Sequence, residues 1–457
     1  MMLPRLAHEG SFLVNRTPDS MWPQLSALRI AVFSFCGAII AGTAAADWPH
    51  WRGADRNDVV DEPSGWNGSE WLLTEDWKAI VGEGASSPLV VGERVFVMGW
   101  RDGREHLSCL NASDGEEVWR ADYAAPQYGR ESTGDKGIYS AVSSTPEYDE
   151  ETGWIYTLGI DGDLRCWDAN RNGAEVWSLN LYDRYGVGQR PDVGGKRGGA
   201  SRRDYGYTTS PLVYEGTIVV EAGDTKSGTV KGFNKRTGEE LWTSDCRDEA
   251  GHTGGPVPLD VDGIPCAVLL TMRNLVIVRL DAGHEGETLA DYPWTTDFAN
   301  NIPTPAVSGN RILVTTSYNQ AAMVCLEVSR TGLREVWKRE NPSGVCSPVI
   351  HDGHVYWAWR GIHCVDFATG EELWMGPKVG TPGSCMVTSD DKLIVLGDRG
   401  DLYLIETVAD SPNAYRELAH IRLGFSSEAW PHVVLANGRL YCKDRRGDLR
   451  CFKIGPR

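Results

Sequence analysis

Residues 366–374 read DFATGEELW, and close relatives of this stretch stand at 111–119 (NASDGEEVW) and 234–242 (NKRTGEELW). Each copy has an Asp or Asn, then a Gly, acidic residues and a Trp. An Asx side chain accepts hydrogen bonds from the backbone of a turn, and Gly supplies the positive φ that a tight hairpin needs. The stretch therefore predicts a hairpin that leads into a strand carrying a large aromatic ring.

The sequence around these turns divides into similar units. Each unit opens with an apolar run that usually contains Pro, such as SSPLVV (86–91), and continues through further runs such as GERVFVMG (92–99) and LSCLNA (107–112). Short apolar–polar alternation punctuated by Gly and Asx indicates strands joined by hairpins. Four antiparallel strands per unit, here named A to D in chain order, are the content of a β-propeller blade.

The Trp that closes a unit gives the number of blades. Its ring is expected on strand D, wedged between adjacent blades, where removing it costs about 3–5 kcal/mol. A seventh unit (383–407) lacks this Trp, and residues 430–454 supply strands A to C of an eighth, while Trp77 in 73–81 has no strands before it. Pairing 73–81 with the last three strands leaves no open sheet edge. We predict an all-β, eight-bladed propeller of four-stranded blades, closed by the N-terminal strand. The predicted blade-docking residues are Trp77, Trp119, Trp177, Trp242, Trp294, Trp337 and Trp374.

The N-terminus has the pattern of an export signal. An apolar run at 30–42 is followed by small residues ahead of Asp47. Because residues 30–46 carry no charge, an uncleaved membrane anchor is the alternative. The predicted organisation is a signal peptide or anchor at 1–46, a leader segment at 47–71 and the propeller at 72–457, in a periplasmic or secreted protein.

Charge limits the class of partner. The chain has 45 basic and 63 acidic residues and a net charge of −18. Nucleic-acid binding is dominated by contacts between basic side chains and phosphates, so a chain this acidic argues against a nucleic-acid partner. We expect a monomer that binds a protein partner, with membrane association only through an uncleaved N-terminus.

Cysteine and histidine provide little chemistry. Five cysteines occupy the middle of strand C in separate blades, beyond the roughly 7 Å Cα limit for a disulfide, and are expected to be small buried apolar residues. Cys346 and Cys385 lie near the starts of neighbouring A strands, where a pair is conceivable. His351 and His354 flank a turn that we expect to be a solvated hairpin. We predict no metal ligands and no catalytic residue. The five strand C cysteines are Cys109, Cys166, Cys325, Cys364 and Cys451.

The SSPxV run, the Asx–Gly–Trp turn and the leader DWPHWRGADRN (47–57) resemble the quinoprotein-like, or PQQ-like, eight-bladed propeller family over residues 47–457. That family includes PQQ-dependent alcohol dehydrogenases and BamB-type periplasmic propellers, which are not enzymes, so the resemblance implies a fold and two functions. The dehydrogenases hold PQQ with Ca²⁺, a stacked Trp and a disulfide between adjacent cysteines. This chain has no Cys-Cys dipeptide and no recognisable calcium-ligand motif. We therefore expect no cofactor, with PQQ and calcium retained only under the enzyme alternative.

Arginine placement carries the functional prediction. In a four-stranded blade the B–C turns and D–A loops emerge on one face, and arginines gathered there present a positive rim to an anionic partner. The alternative is ordinary solvated turns balanced by nearby Asp. Four predicted rim residues belong to B–C turns: Arg273, Arg360, Arg399 and Arg446. The others belong to the long D–A loop at 182–207: Arg190, Arg197, Arg202, Arg203, Tyr205 and Tyr207.

Two functions follow. The first is an exported, non-catalytic, BamB-like scaffold that presents this face to a protein or another anionic partner. The alternative is a PQQ- and calcium-dependent dehydrogenase of alcohols or sugars, in which the same arginines hold PQQ carboxylates and an acid takes the substrate proton.

Overall fold

The computed structural model describes residues 46–130, 140–187, 206–296, 300–318, 320–380 and 383–455. Within these ranges the strands form eight four-stranded antiparallel sheets. Seven sheets follow chain order from strand A to strand D, and the eighth takes its strand D from Leu73–Ile80, which precedes the strands of the other blades. The predicted all-β, eight-bladed propeller is confirmed.

The blades are numbered here in chain order, with strands given from A to D. Blade 1 comprises Leu89–Val91, Arg94–Arg101, Arg104–Asn111 and Glu117–Ala124. Blade 2 comprises Glu147–Asp149, Trp154–Leu158, Asp163–Asp168 and Ala174–Asn180. Blade 3 comprises Leu212–Tyr214, Thr217–Asp224, Gly228–Asn234 and Glu240–Thr243. Blade 4 comprises Val257–Val261, Ile264–Leu270, Asn274–Arg279 and Thr288–Pro293.

The remaining blades continue the series. Blade 5 comprises Ala306–Ser308, Arg311–Thr316, Ala322–Ser329 and Gly332–Arg339. Blade 6 comprises Val349–His351, His354–Trp359, Gly361–Asp366 and Glu372–Met375. Blade 7 comprises Gly383–Val387, Lys392–Gly397, Asp401–Glu406 and Glu417–Arg422. Blade 8 comprises Val434–Ala436, Arg439–Lys443, Asp448–Ile454 and Leu73–Ile80. The described helical segments are the α-helix Leu181–Tyr185 and the 3₁₀ turn Ala169–Arg171, and none of the described helices is long and apolar enough to cross a membrane.

Strand D of blade 8 closes the ring. Leu73–Ile80 pairs antiparallel with Asp448–Ile454, and Trp77 stands opposite Cys451. The indole of Trp77 then reaches blade 1, where its Nε1 donates to the carbonyl oxygen of Ala112 at 2.9 Å. The last blade is therefore assembled from both ends of the propeller sequence, as the missing strand D predicted.

The cysteines of strand C are explained by their partners across the sheet. In each case the register places the Cys opposite the Trp of strand D, where a small side chain leaves room for the ring. These thiols are buried and free, and burial raises the pKa of Cys109 and Cys364 to about 12. They pack as apolar groups, in agreement with the prediction. The pairs are Cys109 with Trp119, Cys166 with Trp177, Cys325 with Trp337, Cys364 with Trp374, and Cys451 with Trp77.

The Trp rings dock on the C–D turn of the next blade. The turn glycine Gly238 has a φ of 72°, and a Cβ added there would lie 2.7 Å from the ring of Trp177. The Trp177 Nε1 also donates to the carbonyl oxygen of Lys235 in that turn at 3.0 Å. Each repeated glycine thus serves both the turn and the contact between blades. The same arrangement joins Trp77 to Gly115, Trp119 to Gly173, and Trp337 to Gly370.

Trp294 does not hold this docking position, so the prediction for it was wrong. In blade 4 the register places Ala290 opposite Ile277, and Trp294 lies just beyond the end of strand D. There its backbone N–H donates to the carbonyl oxygen of Arg273, and the Nζ of Lys338 in blade 5 lies 5.3 Å from its ring centroid. The ring is fully buried, but it packs at the D–A end of the blade. Blade 4 supplies no small strand C residue at the docking position that would accommodate an indole.

A ring of hydroxyl groups links the starts of the A strands. The Oγ1 of Thr145 in blade 2, for example, accepts a hydrogen bond at 3.1 Å from the backbone N–H of Ser87 in blade 1. Six residues supply these hydroxyls, and five of them directly precede a Pro. Proline has no backbone N–H and favours an extended backbone in the residue before it, where strand A begins. The Pro-containing runs therefore mark the inner contact between blades. We call this set the hydroxyl girdle: Ser87, Thr145, Ser210, Thr304, Ser347 and Ser384.

Candidate functional site

The leader occupies the central channel. Residues 47–60, which we call the channel plug, run between the innermost strands. Trp48 forms an antiparallel bridge with Val90 of blade 1, and Val60 donates to the carbonyl oxygen of Val387 of blade 7 at 2.9 Å. Trp51 Nε1 donates to Thr304 Oγ1 of blade 5 at 3.1 Å. The chain therefore fills its own channel.

One buried ion pair holds the plug to two blades. Arg52 contacts Asp58 within the plug, and both side chains are almost completely buried. The Arg52 guanidinium also donates to the carbonyl oxygen of Pro348 in blade 6 at 2.6 Å, while His432 of blade 8 approaches Asp58 at 3.3 Å. Burial alone raises the pKa of Asp58, but Arg52 and His432 outweigh it, so the pKa lies below its ordinary value. Asp58 is consequently ionised at neutral pH.

A second buried carboxylate joins the plug to blades 2 and 3. Glu147, the first residue of strand A in blade 2, contacts Arg56 and lies 3.2 Å from His50. It also accepts a hydrogen bond at 2.9 Å from the backbone N–H of Val213 in blade 3. Burial opposes ionisation of Glu147, but Arg56 and His50 together hold its pKa below the ordinary value. The two networks place four charged side chains in the channel in matched pairs.

The plug has a definite direction. Its ends lie at the A–B turns, where Asp47 accepts from the backbone N–H of Gly92 at 2.8 Å and from the side chain of Asn437 at 3.0 Å. Beyond it, Glu62 accepts from the backbone N–H of Gly438 at 2.7 Å. Trp51 is at the opposite end, beside the D–A loops. The plug therefore enters and leaves by the A–B face, and its bend forms a floor for the other face.

A funnel on the D–A and B–C face lies above that floor. It holds an open cavity of about 140 Å³ whose described wall combines aromatic rings, small hydroxyls, imidazoles and the guanidinium of Arg445. The close fit of the floor depends on Gly254, where an added Cβ would lie 2.4 Å from the Trp51 ring. The main wall residues are Trp51, Tyr318, Trp430, His252, His432 and Arg445.

A second, polar cavity of about 170 Å³ adjoins the first and shares Ser140 and Arg445 with it. Its one carboxylate among the described lining residues is Glu83, which accepts from Gln127 at 3.0 Å and from Ser140 at 3.1 Å. Between the two cavities, the guanidinium of Arg445 lies 4.7 Å from the ring centroid of Trp430. The funnel thus changes from apolar and aromatic to polar over a short distance.

The described rim arginines lie in B–C turns, as the sequence predicts, and all four are exposed. Arg273 is paired with Asp248 and Glu249, and Arg399 approaches Glu428 at 3.9 Å. Arg446 borders the polar cavity, and Arg360 lies 5.7 Å from the Trp359 ring centroid. Arg273 and Arg399 therefore both face carboxylates, and the remaining positive charge of the described rim is that of Arg360 and Arg446.

The long D–A loop contributes differently. Tyr207 is buried, with its hydroxyl donating to the carbonyl oxygen of Ala222 at 3.3 Å, so it packs between blades instead of presenting a surface anchor. The other five predicted loop residues lie outside the described residues: Arg190, Arg197, Arg202, Arg203 and Tyr205.

The funnel residues meet only part of what PQQ and calcium need. Trp51 and Trp430 are aromatic rings of the cavity wall, and Arg445 supplies a guanidinium whose Nε lies 3.4 Å from Glu428. Calcium, however, takes six to eight oxygen ligands that include carboxylates. No carboxylate lines the aromatic cavity in the described ranges, and no group of three or more His, Cys, Asp or Glu side chains is arranged there for a metal. The described wall therefore supplies aromatic rings and a guanidinium but no carboxylate oxygen for calcium.

Sequence reasoning missed the plug and the aromatic floor. The signal was present in DWPHWRGADRN, which places two Trp and two Arg in a segment outside every blade. Buried arginines need charged or polar partners. Here Arg52 pairs with Asp58 of the same segment and with the carbonyl oxygen of Pro348 in blade 6, and Arg56 pairs with Glu147 of blade 2.

Comparisons with known proteins agree with this architecture. The crystal structure of BamB from Moraxella catarrhalis is similar with a TM-score of 0.57 and 13% identity, over 84% of this chain and 100% of that one. The quinohemoprotein alcohol dehydrogenase from Comamonas testosteroni is similar with a TM-score of 0.62 and 15% identity, over 90% and 81%. At these identities the likeness shows the fold alone. A search of curated proteins finds no significant match.

A family model gives the assignment. The model described as outer membrane protein assembly factor BamB matches residues 57–178 and 104–376, which together span more than half of the chain. With the eight closed blades and the repeated Asx–Gly–Trp turn, this match shows that the chain belongs to the PQQ-like propeller family.

Proposed function

We propose that the protein is an exported, non-catalytic binding scaffold whose D–A and B–C face takes an anionic segment of a protein partner into the funnel. The observation that carries the proposal is the funnel itself: the channel is filled from the A–B side, yet the opposite side keeps an open cavity floored by Trp51. A surface that is closed below and open above suits recognition of a chain end or loop.

The wall chemistry supports a peptide-like ligand. Aromatic residues and arginine are the side chains that contribute most to binding at protein interfaces, particularly when they are surrounded by groups that exclude water. Trp430 and Tyr318 supply such surfaces, and the hydroxyl-bearing wall can exchange hydrogen bonds with a peptide backbone. An apolar side chain would pack on Trp51 while polar backbone groups meet the wall.

The charge distribution supports an anionic partner. Arg360 and Arg446 are exposed on the rim, and Arg445, whose Nε lies 3.4 Å from Glu428, lines both cavities. In a chain of net charge −18 a local positive rim orients an approaching acidic segment and speeds its encounter.

Site-specific photo-crosslinking tests the proposal. A photoreactive amino acid replaces Arg446 on the funnel rim in one variant and Arg94, which is exposed at the start of strand B beside the A–B turn on the opposite face, in a matched control. Both are exported in the native host and irradiated in cells. We expect a discrete protein adduct from position 446 that is absent from position 94.

The adduct must also depend on the funnel. Adding Trp430→Ala to the position 446 variant should reduce its yield at least tenfold, since loss of an interface hot spot costs about 2 kcal/mol or more. Equal adducts from both faces, or an adduct insensitive to Trp430→Ala, would contradict the proposal.

The second candidate is a PQQ- and calcium-dependent dehydrogenase. The stacking surfaces of Trp51 and Trp430 beside Arg445 favour it, whereas the missing carboxylates in the described cavity wall oppose it. Purified protein is mixed with PQQ and Ca²⁺, and reduction of an artificial dye is followed with alcohols and aldoses. Turnover would replace the scaffold by the enzyme; no quinone absorbance and no rise in unfolding temperature would remove the enzyme.

A further inference from the structure

The contact between blades 6 and 7 contains two thiols side by side. Cys346 directly precedes Ser347 of the hydroxyl girdle, and Cys385 directly follows Ser384. Their Sγ atoms are 3.7 Å apart, and both residues are almost completely buried. No other Cys–Cys contact occurs among the described residues at hydrogen-bond range.

The thiol pair lies at a junction of the hydroxyl girdle where the contact between blades is not made by a hydroxyl. The junctions on either side use a hydroxyl: Thr304 of blade 5 donates its backbone N–H to Ser347 at 3.0 Å, and Val433 of blade 8 donates to Ser384 at 3.0 Å. Within the described ranges no hydrogen bond joins Ser347 to Ser384 across blades 6 and 7. The contact at that junction is made by the two thiols.

We propose that Cys346 and Cys385 form a disulfide that cross-links blades 6 and 7 beside the channel plug. The bond requires the two sulfur atoms to approach from 3.7 Å to about 2.05 Å. Cys385 lies in strand A of blade 7 and Cys346 lies three residues before strand A of blade 6, so rotation of the two side chains can supply this approach. Of the other described cysteines, the five of strand C face Trp residues within their own blades, and Cys246, Cys266 and Cys442 make no Cys–Cys contact at hydrogen-bond range.

The reaction is a thiol–disulfide exchange with a small-molecule or protein disulfide. One cysteine thiolate attacks the donor disulfide and releases one donor thiol; the second thiolate then displaces the other donor thiol and closes the Cys346–Cys385 bond. Two cysteine protons end on the two donor thiols, so the protein loses two hydrogens and the donor gains them.

Exchange takes place while the blades are still assembling. In the folded protein, contact with Cys346 and burial together raise the pKa of Cys385 far above its ordinary value, so almost no attacking thiolate is present. The buried pair is also out of reach of a donor. An exported chain meets disulfide donors before folding is complete, whereas a chain made in a reducing cytosol does not.

Alkylation counting by mass spectrometry tests the inference. The full chain is exported to a bacterial periplasm, quenched in acid, unfolded and alkylated with N-ethylmaleimide, with or without prior reduction. We expect two fewer adducts without reduction than with it, and a digest containing one linked peptide that holds Cys346 and Cys385. Equal adduct numbers, or a link between other cysteines, would overturn the proposal.

Two variants make the test specific. Cys346→Ser should abolish the difference in adduct number, while Cys325→Ser, which removes a buried thiol facing Trp337, should preserve it. If Cys346→Ser fails to fold, the peptide map of the unsubstituted protein still decides. Reduction before heating should lower the midpoint of thermal unfolding of the unsubstituted protein and of Cys325→Ser, and should leave that of Cys346→Ser unchanged.

Discussion

Carboxylates are buried both in the channel and at the contact between blades 1 and 2. They face cations in the channel and neutral hydrogen-bond donors at the blade contact. In the channel, Asp58 and Glu147 face Arg52 and Arg56. At the blade contact, Glu105 accepts a hydrogen bond at 2.5 Å from the hydroxyl of Tyr123 and one at 3.0 Å from the backbone N–H of Ile160, and among the described residues no cation forms an ion pair with it. The first setting stabilises the charged form of the carboxylate, and the second favours the neutral form.

The difference shows in the pKa values. Guanidinium and imidazole neighbours hold the pKa of Asp58 and Glu147 below their ordinary values against the effect of burial. For Glu105 burial dominates and raises the pKa from 4.5 to about 7. The plug is therefore fixed by charges that persist at neutral pH, whereas the blade contact holds a group that titrates near neutrality. The two regions should respond to pH with opposite sign.

The largest expected effect comes from breaking the plug. Asp58→Asn leaves the Arg52 guanidinium buried without its counter-charge, and removing one partner of a buried pair costs about 3–5 kcal/mol. The midpoint of urea unfolding should fall accordingly. The matched control is Asp61→Asn, an exposed carboxylate of the same leader, which should change the free energy of unfolding by no more than about 0.5 kcal/mol.

A second arm separates charge from packing. Combining Asp58→Leu with Arg52→Met replaces the buried pair by apolar groups. The double variant should therefore have a higher free energy of unfolding than Asp58→Asn. If Asp58→Asn were no more destabilising than Asp61→Asn, the plug would not depend on this pair, and the contrast with the blade contact would fail.

The next effect sharpens the contrast through pH. The folded pKa of Glu105 lies above the value of 4.5 expected for the unfolded chain, so between pH 4.5 and about 7 the folded state binds more protons and stability falls as pH rises. The shift corresponds to about 3 kcal/mol at most. Glu105→Gln keeps an acceptor for Tyr123 and should flatten this part of the profile, so that the variant is more stable than the unsubstituted protein at pH 8.

The opposite sign is expected from Asp58. Its contribution is present above pH 3.8 and is lost as pH falls through its lowered folded pKa. Thermal unfolding midpoints from pH 3 to pH 8 measure both. A Glu105→Gln profile that runs parallel to that of the unsubstituted protein would show that Glu105 does not titrate in this window.

The blade contacts and the plug differ in how far the sequence predicts them. The Asx–Gly–Trp turn is local and repeated, so blade number, ring closure and the exposed B–C arginines follow from it. The docking position predicted for Trp294 was wrong because spacing along the chain does not fix the register of strands across a sheet. The contacts of the channel plug were not predicted because Glu147 and His432, the partners of residues 47–60, lie far away in sequence and are not part of the repeated pattern.

A smaller effect tests the repeated contact itself. Gly238→Ala puts a methyl group 2.7 Å from the Trp177 ring in a backbone with a φ of 72°, so strain and displacement of the ring add to a loss of about 1–3 kcal/mol. Gly309→Ala is the matched control, with a φ of 58° and no atom within 4 Å of the added Cβ. The free energy of unfolding, measured with urea, should fall further in Gly238→Ala than in Gly309→Ala. The difference measures the contribution of the Trp177 docking contact. Equal losses would mean that only the turn matters.

The smallest effect on stability is expected at the funnel rim, where the effect on binding should be largest. Arg360 and Arg446 are exposed, so changing both to Glu should alter the free energy of unfolding by only about 0.5 kcal/mol per site, whereas an acidic partner would meet a reversed charge. A photoreactive reporter at position 399, on the same rim, should therefore form no adduct in the variant with both Arg360→Glu and Arg446→Glu. The adduct should persist in Arg94→Glu, which places the same substitution on the opposite face. Raising the salt concentration from 0.01 M to 1 M shortens the Debye length from about 30 Å to about 3 Å and should weaken capture by the unsubstituted rim in the same direction. Undiminished capture by the Glu pair would show that the arginines are ordinary solvated turns and that recognition rests on the aromatic cavity over Trp51.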